Sequence, residues 1–124
     1  MSKLTFHSND RPSVGIELEL GLVDGRTMEL SNSIEAVIAE LPEDVGSCFK
    51  PELMQSVIEI NTCVCNTIGD AERDLRSKLA VMEGIADRLG LQLWWGATHP
   101  FSHWADQKVT PNERYESLVD LLQE

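Results

Sequence analysis

At 124 residues the chain suits one domain with a single hydrophobic core and little margin beyond it. Its 42% hydrophobic and 25% charged residues are those of an ordinary soluble globular protein, and no apolar run approaches the ~20 residues of a membrane span. A net charge of −11, with the ten Lys and Arg scattered and no Gly-rich Walker-type loop, argues against a nucleic-acid partner and means that phosphate would have to be held through metal ions or through sequence outside this chain.

Residues 1–12 read as a polar lead-in ending in Asn9-Asp10-Arg11-Pro12, and Met1–His7 contains no apolar h-region. A cytoplasmic protein is therefore expected. A strand follows from about Val14 to Val23. Its period of two puts Ile16, Leu18 and Leu20 on one face and Glu17 and Glu19 on the other, the glutamate Cα atoms roughly 7 Å apart. Such a pair suits either the wet face of an antiparallel strand or a site for divalent cations. Asp24-Gly25 predicts a hairpin turn with a short return strand near Thr27–Leu30.

Ser31-Asn32-Ser33 offers N-caps for a short amphipathic helix carrying Ile34, Val37, Ile38 and Leu41 and stopping before Pro42. Glu43–Gly46 reads as a turn and residues 47–50 as a short strand broken at Lys50-Pro51-Glu52. Ser56–Thr62 alternates again, with Val57, Glu59 and Asn61 opposite Ile58 and Ile60. From Thr67 to Leu89 the period becomes 3.6. Ile68, Ala71, Leu75, Leu79, Met82, Ile85 and Leu89 form a core-facing stripe, and Lys78 is assigned to the polar side with Glu72, Arg73, Asp74, Arg76 and Asp87. Thr67 suits the N-cap and Gly90 the position after the last turn. Leu91–Ala97 reads as a buried strand that takes Trp94 and Trp95 into the core. Thr110-Pro111-Asn112-Glu113 reads as a capping box for a last helix with Tyr115, Leu118, Val119 and Leu122 on its apolar face, running into Glu124 without a C-cap. Cys48, Cys63 and Cys65 have no CxxC spacing and are expected to be buried, reduced thiols. The order of elements predicts an α+β fold with a mainly antiparallel sheet and helices packed on one face.

Glu17, Glu19, Glu52, Glu59 and His99 are the side chains that could meet over one sheet face. Each has a plainer reading as a solvated or strand-end residue. Carboxylates crowded this way would repel one another strongly without a cation, and hard oxygen ligands with one neutral imidazole suit Mg²⁺ or Mn²⁺. Asn61 reads either as an amide facing a substrate or as a strand-end cap. His103 lies four residues from His99, but Pro100 disfavours the helix that a zinc pair would need.

Four blocks carry a resemblance: Ser13–Leu20, Gln55–Thr62, Gly96–Phe101 and Val109–Tyr115. In this order they resemble the bacterial carboxylate–amine ligases, also called type 2 glutamate–cysteine ligases, of the glutamine-synthetase-like fold. The resemblance runs from about residue 13 to the end and corresponds to the N-terminal third of such proteins. It implies an ATP-dependent ligase that phosphorylates a carboxylate, typically that of glutamate, for attack by an amine such as that of cysteine. It further implies that Glu17, Glu19, Glu52, Glu59 and His99 bind metal, and that Glu17, Glu19 and Asn61 face the nucleotide. His99 would stand beside the γ-phosphate as a catalytic residue. ATP and Mg²⁺ or Mn²⁺ would be the cofactors and small amino acids the partners, with neither nucleic acid nor membrane. The acid and the arginines that complete such sites are absent, so the 124 residues alone are expected to be weak or inactive. The alternative is a non-catalytic module of the same fold that assembles with itself or with another subunit. A two-metal phosphohydrolase would account for the acids but not for the later blocks.

Overall fold

A computed structural model describes residues 8–122; the start of the expected lead-in and the expected run into Glu124 lie outside the described residues. The elements are β1 (Glu17–Asp24), α1 (Ile34–Ala39), a 3-10 turn (Gly46–Cys48), β2 (Phe49–Pro51), β3 (Val57–Asn61), α2 (Ile68–Leu89), β4 (Leu91–Trp94), a second 3-10 turn (Trp104–Asp106) and α3 (Glu113–Leu122). The fold is α+β, and among the described residues the strands form a sheet that is antiparallel throughout in the order β2-β3-β1-β4.

Register follows from the period-two pattern. Leu18 pairs with Ile60 and Leu20 with Ile58, so their side chains share one face, and Phe49 joins them opposite Ile60. α1 and α2 close over that face. Ile34 and Val37 from α1 and Met82, Ile85 and Ala86 from α2 pack with Leu20, Leu22, Ile58, Ile60 and Leu91 into one buried cluster. The opposite face carries Glu17 across from Asn61, Glu19 across from Glu59, and Lys50 across from Glu59 on the other side. Helices cover one side, and the acids lie on the other.

α2 begins where Thr67 Oγ1 accepts from the Asp70 amide (3.1 Å) while Asp70 Oδ2 accepts from the Thr67 amide (2.9 Å). It ends at Gly90, whose φ of +69° is the left-handed conformation that glycine adopts without steric cost. Among the described residues no helix is long and apolar enough to cross a membrane.

Four expectations need correction. The return strand at Thr27–Leu30 does not form; a single bridge joins Val23 to Leu30. Asp24 Oδ1 instead accepts from the amides of Arg26 (2.9 Å) and Thr27 (2.8 Å), making a local turn, and β4 pairs along Gly21–Asp24. β1 starts at Glu17 rather than Val14, because Thr62 Oγ1 takes the Ile16 amide (2.8 Å) and interrupts the regular ladder. Lys78 is buried and Ile68 is 70% exposed. Residue 78 stands seven after Ala71 and four before Met82, squarely on the buried stripe. Thr110 does not cap α3. Asn112 does, its Oδ1 accepting from the Arg114 amide (2.9 Å), while buried Thr110 donates its hydroxyl to the Glu52 carbonyl (2.6 Å).

Candidate metal centre

Glu19, Glu52 and Glu59 converge, with one carboxylate oxygen of each within 4.8 Å of the others. They come from three places in the fold. Glu19 and Glu59 face each other across the β1–β3 ladder, and Glu52 follows the end of β2. The chain at Glu52 is braced by residues 107–115. Thr110 donates to the Glu52 carbonyl, the Thr110 amide to Leu53 O (2.8 Å), and the Tyr115 hydroxyl to Pro51 O (3.1 Å). Thus one block of the sequence, Val109–Tyr115, holds an acid that stands just ahead of another, Gln55–Thr62.

Three carboxylates this close cannot all be charged without cost. Burial, aided by a hydrogen bond with Glu59 and the charges of Glu19 and Glu59, raises the Glu52 pKa above its ordinary value. Glu59 moves the other way. The Asn61 amide donates to its Oε1 (2.5 Å), and Glu52 and the Lys50 ammonium (3.3 Å) add to this against the effect of burial. Of the two, Glu52 takes up a proton first as pH falls, and a bound divalent cation would compete with that proton. Hard oxygens from three segments, one of them buried and ionised, fit Mg²⁺ or Mn²⁺.

Glu17 is not in this group. Its partner across the ladder is Asn61, and it lines a separate cavity with Lys50, Asn61 and Cys63. Asn61 stands between the two, with Nδ2 on Glu59 and a buried Oδ1 that has no hydrogen-bond partner.

His99 also lies apart from the three acids, beside a cavity of about 560 Å³ lined by Glu19, Gly21, Trp94, Gly96, His99 and Trp104. Its Nδ1 accepts from the Ser102 amide (3.1 Å), so the neutral ring carries its proton on Nε2 and presents a donor there. Ser102 in turn accepts the Leu30 amide (2.9 Å), and the Asn32 side chain bonds Asp106 O (3.0 Å) and the Lys108 amide (2.9 Å), tying this loop to the turn after β1. His103 accepts the Ala105 amide (3.2 Å) and belongs to no metal-binding group among the described residues.

Sequence reasoning missed the cavity's glycines. A Cβ on Gly21 would stand 3.1 Å from Trp94 Cβ, and one on Gly96 only 2.9 Å from Trp94 Nε1. Trp94 is half-buried between them, its Nε1 unpartnered, while Trp95 is 61% exposed and not in the core. Gly96→Ala is expected to displace the Trp94 ring at a cost of about 1–3 kcal/mol and to shift tryptophan emission. An unchanged spectrum and Tm would show that the ring has room to yield. Lys50 was also missed, although its place across from Glu59 follows once β2 and β3 are paired.

Residues 13–124 match the sequence model of glutamate-cysteine ligase family 2. A candidate glutamate–cysteine ligase 2-1 of Rubrobacter xylanophilus is 43% identical over 114 residues, covering 92% of this chain and 30% of that protein. A candidate glutamate–cysteine ligase 2 of Mycobacterium ulcerans is 38% identical over 122 residues, covering 98% and 31%. One of Gloeobacter violaceus is 34% identical over 119 residues, covering 94% and 32%. The chain spans about three tenths of the length of these curated relatives.

Proposed function

The chain belongs to glutamate-cysteine ligase family 2, and on that premise we propose that it is the cation- and nucleotide-binding part of an ATP-dependent carboxylate–amine ligase. The observation that carries this reading is the convergence of Glu19, Glu52 and Glu59 on the sheet face left open by the helices. A divalent cation held there supplies positive charge to the oxygens of the phosphoryl group being transferred. Glu17 and the free Oδ1 of Asn61 would face a second cation or the nucleotide. His99 would donate its Nε2 proton in a hydrogen bond to the terminal phosphate, its ring held by Ser102 and edge-on to Phe101 (centroids 4.6 Å apart). Glutamate would receive the phosphoryl group, and the amine of cysteine would displace phosphate from the acyl phosphate to form the amide.

The test is a graft of residues 13–124 in place of the matching segment of the Rubrobacter xylanophilus relative. Glutamate- and cysteine-dependent ADP release is expected within about tenfold of the parent, a barrier difference of about 1.4 kcal/mol. A folded graft without activity beside an active parent would overturn the reading. It would favour instead a non-catalytic module that assembles through α3, none of whose residues is buried and whose Leu121 and Leu122 are 68% and 72% exposed.

A further inference from the structure

All three tryptophans of the chain, Trp94, Trp95 and Trp104, line the cavity of about 560 Å³ that also borders Glu19 and His99. Trp94 is seated by Gly21 and Gly96 and lies against His99 (centroids 5.2 Å apart), and Trp104 lies against His103 (5.6 Å). Trp95 and Trp104 are nevertheless 61% and 77% exposed. Indoles left open around a concave site add little to the core and are free to meet a ligand. Leu30 and Val57 extend the apolar wall. Among the described lining residues the only carboxylate is that of Glu19, and there is no Lys or Arg. Such a lining disfavours an anion. It suits a cation with an apolar body, since an indole face attracts an ammonium and also buries hydrocarbon. The volume falls in the range of about 300–1,000 Å³ that takes drug-sized ligands, far more than a cysteine side chain fills. Glu19 belongs as well to the three acids of the candidate metal centre, so the cavity shares a wall with it. An acid substrate with two carboxylates would find no basic side chain there, whereas an amine finds both its charge and its body matched.

We infer that this cavity is the subsite of the acceptor amine and that it takes, besides cysteine, primary amines carrying an aromatic or large apolar substituent. The acceptor role rests on the ligase reading above; the fit of the amine rests on the cavity's own lining. At the subsite the ammonium yields one proton to solvent, and the nitrogen lone pair attacks the acyl carbon of γ-glutamyl phosphate. The C–N bond forms and the bond from that carbon to the phosphate oxygen breaks. Phosphate leaves with the electron pair and takes up the second amine proton.

Because every tryptophan borders the cavity, the tryptophan emission of the metal-free chain reads its occupancy directly. 2-Phenylethylamine is expected to shift that emission saturably, with an affinity about tenfold or more above two controls, the scale of burying one aromatic ring. Ethylamine has the charge without the ring, and 3-phenylpropionate has the ring without the positive charge. Trp104→Ala, a change at an exposed position, should weaken binding about fivefold, the scale of one cation–π contact. In the graft described above, 2-phenylethylamine should replace cysteine in glutamate-dependent ADP release, with the γ-glutamyl amide identified by its mass. Equal affinity for 2-phenylethylamine and either control, or tighter binding of adenosine, overturns the amine site. Binding by the chain with no amide from a graft that is active with cysteine overturns the acceptor role. Binding by the chain beside a folded graft inactive with both amines supports the amine site and overturns the ligase reading instead.

Discussion

Glu59→Gln is expected to lower Mn²⁺ affinity about 100-fold or more. Loss of an outer partner of a metal ligand alone costs about 10–100-fold, and here a buried carboxylate of the proposed cation site itself is removed. Glu52→Gln should behave in a more diagnostic way. Without metal it relieves crowding among three acids, so the Tm in EDTA should stay level or rise. With metal it should lose most of the stabilisation that the parent gains, about 2.7 kcal/mol at a Mn²⁺ concentration 100 times Kd. The pH dependence has a definite sign. Glu52 has a raised pKa, so its proton competes with the cation, and affinity should fall as pH drops through a value above the ordinary 4.5. In the metal-free chain the same raised pKa means that stability declines as pH rises from 4.5 through the folded value. Glu59, with its lowered pKa, contributes stability present above 4.5 and lost as pH falls through its folded value. Calorimetric titrations across pH 4–8 read all of this. Equal Mn²⁺ binding by Glu59→Gln and the parent would leave the acids as a solvated sheet face.

Lys78→Met is expected to lower stability by about 2–3 kcal/mol, roughly 10 °C in Tm for a domain of this size. The change leaves Asp74 without its cation and the Asn61 carbonyl without its donor, in a position where Lys78 is only 4% exposed. The cost falls at or just below the bottom of the range of about 3–5 kcal/mol for broken buried pairs, because the Asp74 side chain is 25% exposed and can rehydrate. Asp74→Asn combined with Lys78→Met should cost less than the sum of the two, since each alone strands the other's partner. The pH signature is again fixed in sign. Lys78 lowers the Asp74 pKa, with help from the Cys63 amide, so that contribution is present above about 3.8 and lost as pH falls through the folded value. Lys78 itself is raised above 10.5, so its contribution is complete below 10.5 and lost as pH rises through the folded value. Denaturant melts of the single and double variants measure both. A Lys78→Met protein within about 0.5 kcal/mol of the parent would mean that the pair is dispensable.

The two predictions meet at Asn61. Its carbonyl holds Lys78 from the helix side, and its amide holds Glu59 on the open face. Lys78→Met should therefore also weaken Mn²⁺ binding, through β3 and without touching the cation.

The sequence by itself determined which residues share a face. Alternation placed Glu17 and Glu19 opposite Leu18 and Leu20, and Glu59 and Asn61 opposite Ile58 and Ile60, because in a strand every second side chain points the same way. The capping box at Thr67 and the glycine at position 90 marked the ends of α2 for equally local reasons. The four blocks carry the likeness to the family by themselves. Only the tertiary structure decided which acids meet. Glu19 rather than Glu17 joins Glu59 because the β1–β3 register sets it directly across, and register is a property of two strands, not of either one. Glu52 arrives because the carbonyls of residues 51–53 accept hydrogen bonds from Thr110 and Tyr115, more than fifty positions later, which recasts Thr110 from helix cap to brace. Lys78 lay within reach of sequence reasoning, since its place on the 3.6-residue stripe was legible. Its charge concealed it, because burying an ammonium is tolerable only where a carboxylate and a carbonyl from elsewhere in the fold receive it.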